Sequence, residues 1–501
     1  MVMINGSFVP LASLKGANGR AAASADFRTP QTLPRIAPPK IAPQGEYYCR
    51  ELKVLEFDGN SVLFDVERFR LFTVGEHIVA LLRSIGALDS GPLWNSVPVP
   101  CNEHTREGVE FLLRCGILSR ESFPPPDENI PSVPIPTGLT LHVNHICNLR
   151  CVYCYADGGT YGGEPMTMSD EVLVRAIDLF LDVSHPQRAL IHWFGGEPLL
   201  SFGKIRFGTV YAEQRAAALG KAVSFSITSN GTVIDDERAE FMSEHGFNIT
   251  ISCDGSPEMH DHLRPRADGK GSYGDLVNGL AMLKRHGIPY GLRATATRDR
   301  PNVSAQIQHL GSLGPTDGIE VQFDVQKTQR GARLTPEEAE QLRREYRTVA
   351  DKLISGEDAS ELQQYVGLRD VVGAVVAKKR KSRGCMAGTS SFAIHPEGHV
   401  FPCHRFVSDK RYCIGNVLDG FRFELDPRFL NAIVFNREPC ASCWARYLCG
   451  GACYNICSEN FDDIRKPPEF YCQNMMIKIS EAIRMIWKAA GSTAERLAPE
   501  G

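Results

Sequence analysis

The chain has 501 residues, of which 43% are hydrophobic and 23% charged, with a formal net charge of −4. That length suits about two to four domains with a sizeable core, and so balanced a charge points to neither a nucleic-acid nor a membrane surface. There is no apolar run of the roughly 18 residues that a membrane span needs, and the start Met1-Val2-Met3-Ile4-Asn5-Gly6 lacks the basic and apolar regions of a signal peptide, so a cytoplasmic protein is expected.

Residues 1–44 are rich in Ala, Pro, Gly, Ser and Arg without a helical or strand period, and are expected to be a disordered arm. From 45 to 122 the pattern is that of a small α+β domain. Leu52 to Phe57 and Ser61 to Val66 flank the turn Asp58-Gly59-Asn60, a third strand is expected at Arg68 to Phe72, and helices over 73–85 and 105–115. The proline-rich stretch 123–136 reads as a stiff linker.

From 137 to 360 short apolar runs alternate with amphipathic segments. Strands are expected at 139–144, 189–194, 223–228, 248–253, 290–296 and 319–324, with helices at about 169–183, 200–219, 235–245, 273–286, 302–313 and 335–354. Six βα units suit a parallel sheet curved into a partial (β/α)6 barrel, with chemistry at the carboxyl ends of the strands.

The first of those strand ends carries Cys147-Asn148-Leu149-Arg150-Cys151-Val152-Tyr153-Cys154. Sixteen cysteines in a chain without an export signal argue for metal ligation rather than disulfides. A 4Fe-4S cluster takes one thiolate per iron, so a local set of three leaves one iron free to chelate something else; the bland alternatives are buried thiols or part of a zinc site. The second strand ends in Trp193-Phe194-Gly195-Gly196-Glu197-Pro198, where glycines permit close backbone approach and a carboxylate can hold a cationic amino group. Ser229 and Asn230 end the third strand, and Ser252 and Asp254 the fourth. Met259 to Pro265 follows with no role that can be assigned, and Arg293, Gln322 and Asp324 stand where a substrate would lie if the strand register turns them inward.

Residues 361–501 hold a second cysteine series. Cys385, Gly398 and Cys403 precede Cys440-x2-Cys443-x5-Cys449-x3-Cys453, and Cys472 closes it. A zinc ribbon would use the paired cysteines but would leave Cys385, Cys403 and Cys472 without a partner. Cys49, Cys101, Cys115 and Cys253 read as small buried hydrophobes.

The C-x3-C-x2-C run with Tyr153 before its last cysteine, and the Gly-Gly-Glu one unit later, resemble the radical S-adenosylmethionine (SAM) enzymes. The resemblance implies a SAM-binding 4Fe-4S cluster on Cys147, Cys151 and Cys154, with Gly195, Gly196 and Glu197 at the SAM amino group and Ser229, Asn230, Ser252, Asp254 and Arg293 near its ribose and carboxylate. It also implies a 5′-deoxyadenosyl radical that removes a hydrogen atom from a substrate, with Asp324 among the candidate catalytic residues. The later cysteines resemble the SPASM domain, which implies two auxiliary clusters of 4Fe-4S type: Cys385, Cys403 and Cys453 on the first, Cys440, Cys443, Cys449 and Cys472 on the second. Ser391 stands where some relatives supply a fourth ligand to the first, leaving Cys413, Cys457 or the substrate for that place.

Residues 45–122 resemble the winged-helix-like element that captures a leader peptide at a sheet edge in ribosomal-peptide pathways. Together these resemblances imply a thioether-forming peptide maturase, with a precursor peptide as partner and flavodoxin or ferredoxin as electron donor. A carbon–carbon crosslinking cyclase, a sulfatase maturase making formylglycine, and a non-enzymatic iron–sulfur scaffold are the alternatives.

Overall fold

The computed structural model describes residues 2–4, 7–9, 44–88, 96–123, 135–297, 302–323, 333–355 and 365–490. Within the expected arm, strand β1 (Val2–Ile4) pairs antiparallel with β2 (Ser7–Val9), and β3 (Gln44–Cys49) already begins at its end. The rest of that arm, most of the proline-rich stretch and Asp324 lie outside the described residues.

β4 (Leu52–Phe57), β5 (Asn60–Asp65) and β6 (Arg70–Val74) form an antiparallel meander. The β4–β5 turn uses Asp58 and Gly59, both at positive φ, which is the two-residue hairpin geometry that matches strand twist. β6 begins later than its apolar pattern suggests. Asp65 accepts the Glu67 and Arg68 amides at 3.2 and 3.1 Å and Phe69 sits at positive φ, so residues 66–69 are spent in a turn. The helix Glu76–Ser84 follows, then β7 (Val97–Pro100), the helix Arg106–Arg114 and β8 (Leu118–Ser119); β7 and β8 both pair with β3.

The meander is buried on both faces. Leu63, Val74 and Leu52 pack with Ile78, Leu82 and Leu112 in a small local core, whereas Phe57, Val62 and Phe64 on the alternate positions join the main core. On that side Phe64 meets Trp444 edge to face at 6.2 Å, Phe57 lies 5.8 Å from Trp487, and Trp487 donates to Thr73 at 2.9 Å.

β9 (Gly138–Asn144), β10 (Ala189–Gly195), β11 (Val223–Ser229), β12 (Asn248–Ser252), β13 (Tyr290–Ala296) and β14 (Gly318–Phe323) lie side by side, parallel and in chain order. Helices occupy every connection between them; five lie within two residues of their expected bounds, and the helix Pro257–Leu263, not expected from sequence, joins them between β12 and β13. The helix Asp170–Val183, for example, starts where Ser169 caps the Val172 amide at 3.2 Å. Alternation sorts the strands' two faces. Ile191 and Trp193, Phe225 and Ile227, Leu292 and Ala294 are buried in the core. The intervening positions are His192, Ser226, Thr228, Arg293, Thr295 and Gln322, only partly buried. Where branched apolar side chains would fill a closed barrel, this concave face is polar and leaves a cavity.

The sheet does not stop at β9. β15 (Ser391–Ile394) adds to it in parallel, followed by antiparallel β16 (His399–Phe401) and β17 (Gly415–Asn416), giving nine strands in the order β14-β13-β12-β11-β10-β9-β15-β16-β17. The carboxyl-terminal cysteine region is thus hydrogen-bonded to the strand that delivers Cys147. No helix among the described residues is long and apolar enough to cross a membrane.

Candidate active site

At the carboxyl ends of β9 to β14 lies an open cavity lined by Cys147, Cys151, Cys154, Tyr153, Gly195, Gly196, Glu197, Ser229, Asn230, Ser252, Arg293 and Gln322, all expected there from sequence. Burial pushes the Cys147 thiol up to about 12, so a metal would have to displace its proton. Among the described residues no three Cys, His, Asp or Glu side chains converge as they would on one ion. The thiols instead stand around a cavity, the arrangement that a multi-iron cluster occupies.

The cysteine loop is tied down on two sides. Glu197 and Gly196 amides donate to the Ile146 and Asn144 carbonyls at 2.7 and 3.2 Å, an approach so close that a Cβ on Gly196 would collide with the Ile146 carbonyl. On the other side Arg150 and Val152 amides donate to the Pro265 and Leu263 carbonyls at 2.7 and 3.0 Å. The run from Met259 to Pro265, unassigned from sequence, is therefore a strap for the cysteine loop. Arg264 extends it, with its Nε 2.8 Å from Asp254 Oδ2 and Nη1 3.9 Å from Cys151 Sγ.

Asp254 is fully buried, and Tyr153 Oη, Arg264 Nε and the Thr295 amide (2.8 Å) all donate to its carboxylate. Expected beside the ribose or carboxylate of SAM, it is placed behind the cavity wall as the anchor of the loop and strap, because three protein donors use its oxygens. Ser229 and Asn230 reach the cavity while working on its wall. Ser229 Oγ and the Asn230 amide donate to Glu197 at 2.9 and 2.7 Å, and Asn230 Nδ2 donates to Asn148 Oδ1 at 2.9 Å.

Glu197 is 1% exposed. Desolvation pushes its carboxyl up to about 7 against the opposing pull of the Asn230, Leu199 and Ser229 donors. Oε1 accepts from Leu199 and Ser229 and Oε2 only from Asn230, which leaves room at Oε2 for one further donor. Arg293 Nη2 donates to Gln322 Oε1 across neighbouring strands.

Sequence reasoning passed over His404, Arg405, Tyr155, Tyr161 and Thr295, which also line the cavity. His404 Nδ1 is 3.7 Å from Cys403 Sγ, its ring lies 4.7 Å from Phe194, and the Arg405 guanidinium sits 4.7 Å over Tyr155. The signal available was their position directly after Cys403. Through them the second cysteine series borders the same cavity.

Burial first, and then the neighbouring Cys453 and Cys385, push the Cys403 thiol up, so these three lie near one another. Cys457 is buried one turn beyond Cys453 and accepts from Arg437 Nη2 at 3.1 Å, while Cys413 lies by the Gly415 carbonyl (3.4 Å) and His399 Nδ1 (3.9 Å). Ser391 packs its hydroxyl against Gly138. Cys440, Cys443, Cys449 and Cys472 line a separate cavity. The four thiols around one space suit a cluster closed by protein.

The Radical SAM superfamily profile matches residues 141–297, and that of an iron–sulfur cluster-binding domain, SPASM, matches residues 385–444. The domain architecture therefore implies a SAM-binding 4Fe-4S cluster together with auxiliary clusters. The serine-type anaerobic sulfatase-maturating enzyme of Bacteroides thetaiotaomicron is 35% identical over 158 residues, 30% of this chain and 37% of that enzyme. The cysteine-type enzyme of Clostridium novyi is 24% identical over 341 residues, 63% of this chain and 87% of its own length. Among solved structures, native anSMEcpe with bound AdoMet and Cp18Cys peptide superposes with a TM-score of 0.60 at 20% identity, covering 71% of this chain and 99% of that one. These matches correct the expectation of a thioether-forming ribosomal-peptide maturase with a leader-binding element. The similarity gathers on sulfatase-maturating enzymes of both serine and cysteine type. The radical SAM and SPASM resemblances on which the thioether reading drew are upheld by the two profiles, which do not discriminate between the chemistries of that architecture.

Proposed function

From a chain with the fold and domain architecture of a radical SAM superfamily enzyme, we propose an oxidase that converts a cysteine or serine side chain of a peptide or protein substrate to formylglycine. The observation that carries this reading is the shared cavity. The Cys147, Cys151 and Cys154 loop and Glu197 open into the same space as His404 and Arg405, which follow Cys403 of the auxiliary series. Sulfatase-maturating relatives of both types support it.

The donor chemistry fits the implied groups. Cys147, Cys151 and Cys154 would hold the SAM-binding cluster, Cys385, Cys403 and Cys453 the first auxiliary cluster, and Cys440, Cys443, Cys449 and Cys472 the second. When bound, SAM with its reduced cluster supplies a 5′-deoxyadenosyl radical for hydrogen-atom removal, the electron coming from a donor such as flavodoxin or ferredoxin. Glu197 offers Oε2 to the cationic amino group of SAM, and Gly195 and Gly196 leave the backbone clear beside it. Tyr153 and Asp254 fix the cysteine loop. Arg293 with Gln322, and Arg405, present donors to substrate carbonyls, while Phe194, Phe323 and Tyr155 supply an apolar wall that excludes water. The division at about 123–136 and 361 belongs to this proposal, with substrate contact assigned to the cavity.

In the overall change, serine loses two hydrogens to become the aldehyde: one would leave as a hydrogen atom that ends in 5′-deoxyadenosine, and the other as a proton, its electron passing to one of the implied iron–sulfur clusters. Cysteine loses two hydrogens to the thioaldehyde, which water converts to the aldehyde with release of hydrogen sulfide. The test is to incubate the reconstituted protein anaerobically with SAM, a one-electron reductant and sulfatase-site peptides carrying cysteine or serine. Aldehyde formation in step with 5′-deoxyadenosine is expected. Cleavage of SAM with both peptides unchanged would refute this reading while sparing the radical SAM assignment.

A further inference from the structure

The amino-terminal meander forms part of the wall around the second auxiliary site. Glu51, Leu52, Lys53 and Leu88 line the cavity into which Cys440, Cys443, Cys449 and Cys472 open. Glu51 meets Arg446 through both terminal guanidinium nitrogens, Nη1 at 2.6 Å, with the two side chains only 4% and 2% exposed. Arg446 begins the short helix Arg446–Cys449, midway between two of the cysteines, and its Nη1 also donates to the Cys443 carbonyl at 3.1 Å. Phe64 against Trp444 seals the neighbouring position.

Such a pair is weak evidence for stability in itself, because desolvating both charges offsets their attraction. Removing one partner is a different matter, since the other charge stays buried and unpaired. Here that stranded charge would be a guanidinium between Cys443 and Cys449, with water drawn toward it along the wall that Glu51 lines.

We infer that Glu51 is a positioning residue for the second auxiliary cluster: by holding Arg446 it fixes the Cys443–Cys449 segment and neutralises a cation beside Cys443. This rests on the reading of Cys440, Cys443, Cys449 and Cys472 as cluster ligands. Two consequences follow from Coulomb's law and access. Without Glu51 an uncompensated positive charge favours the more negative, reduced state and raises that cluster's midpoint potential. Without that hold the Cys443–Cys449 segment loosens, and a chelator strips the iron it carries more readily.

The experiment uses the full chain, loaded with clusters under anaerobic conditions, as wild type, E51Q, E51A and C440A. Iron and sulfide content, iron release to an excess of bathophenanthroline, and redox titration followed by electron paramagnetic resonance are measured. C440A identifies the iron fraction and signal that belong to this site. Both Glu51 variants are expected to load normally and to release that fraction about tenfold faster or more, the remaining iron leaving at the wild-type rate, with the potential of that signal moved upward. E51Q keeps a hydrogen bond to Arg446 and can carry the potential measurement alone. Wild-type release and potential in the Glu51 variants would overturn the proposal. Full iron content in C440A would instead remove the cluster reading on which it depends.

Discussion

Glu197 shows how a single carboxylate can be part of a cavity wall and still keep a lone pair free for a ligand. Three protein donors orient it, burial raises its carboxyl to about 7, and one lone-pair direction stays open on Oε2. The raised value means that, between the ordinary carboxyl range and 7, the folded protein holds a proton that the unfolded chain does not. That contribution to stability is lost as pH rises through 7. A cationic amino group needs the ionised form, so SAM affinity should fall below pH 7, by up to about tenfold per unit, and level off above it. Equilibrium dialysis of the cluster-loaded protein across pH 6 to 8.5 checks this; E197Q should bind about 10- to 100-fold more weakly, the equivalent of a charged hydrogen bond, with a flat profile. A pH-independent affinity in the wild type would remove Glu197 from the amino group. The Gly-Gly-Glu run was legible in the sequence because three unusual residues stand together after a strand. His404 and Arg405 were not, because a lone histidine and arginine beside a cysteine look like any solvated turn. Asp254 was legible as important but not for what it does, since a strand-end aspartate reads the same whether it faces a ligand or two buried side chains.

Among the elements, the strap formed by residues 259–265 carries a role that no local pattern announces. It holds the cysteine loop by two backbone bonds and by Arg264, while Gly196 allows β10 to approach the loop from the opposite side. Replacing Gly196 with Ala forces a methyl into the Ile146 carbonyl, so the first site should fail to assemble and about four irons per chain should be lost. Arg264→Ala leaves Asp254 buried without its cationic partner, at a cost of about 3–5 kcal/mol if the pair behaves like other buried ion pairs. The same iron should then be retained at first but lost on mild warming. Iron counts and thermal melts on the two variants check both outcomes. Iron retention in Gly196→Ala would show that the loop can move aside. The six βα units were legible because apolar runs and amphipathic segments differ in period, and each barrel strand falls within a residue of its expected bounds. β6 was misplaced by two residues because its apolar run continues through a turn that the Asp65 side chain stabilises, and a side-chain cap leaves no period to read.

For the molecule as a whole, the amino-terminal sheet, the barrel and the carboxyl-terminal cysteine region share one main core. The terminal helix Glu469–Ala490 reaches back to the meander through Trp487 on Thr73 and Lys488 on Asp58 at 2.8 Å. Three regions were legible from composition and cysteine spacing. Their docking was not, because residues such as Phe57, Val62 and Phe64 look like the second face of any small sheet until the partner surface is known. A chain ended after residue 380 would lack β15 to β17 and leave β9 at the sheet edge. It should accumulate mainly as aggregate, judged by size-exclusion chromatography of the soluble fraction; a monodisperse product would show that the barrel stands alone.

The pairing of β9 with β15 also sets a clock on biosynthesis. The strand that presents the first cysteines emerges about 250 residues before its neighbour Ser391–Ile394. At ribosomal speeds of about 5–20 residues per second it waits roughly 12 to 50 s with one side open. For that interval the nascent polypeptide exposes one open edge of a strand whose following loop carries three thiols, a target for chaperones and for premature oxidation alike. Slower translation would lengthen the exposure, so the yield of intact protein should depend on how fast the ribosome covers the stretch between them.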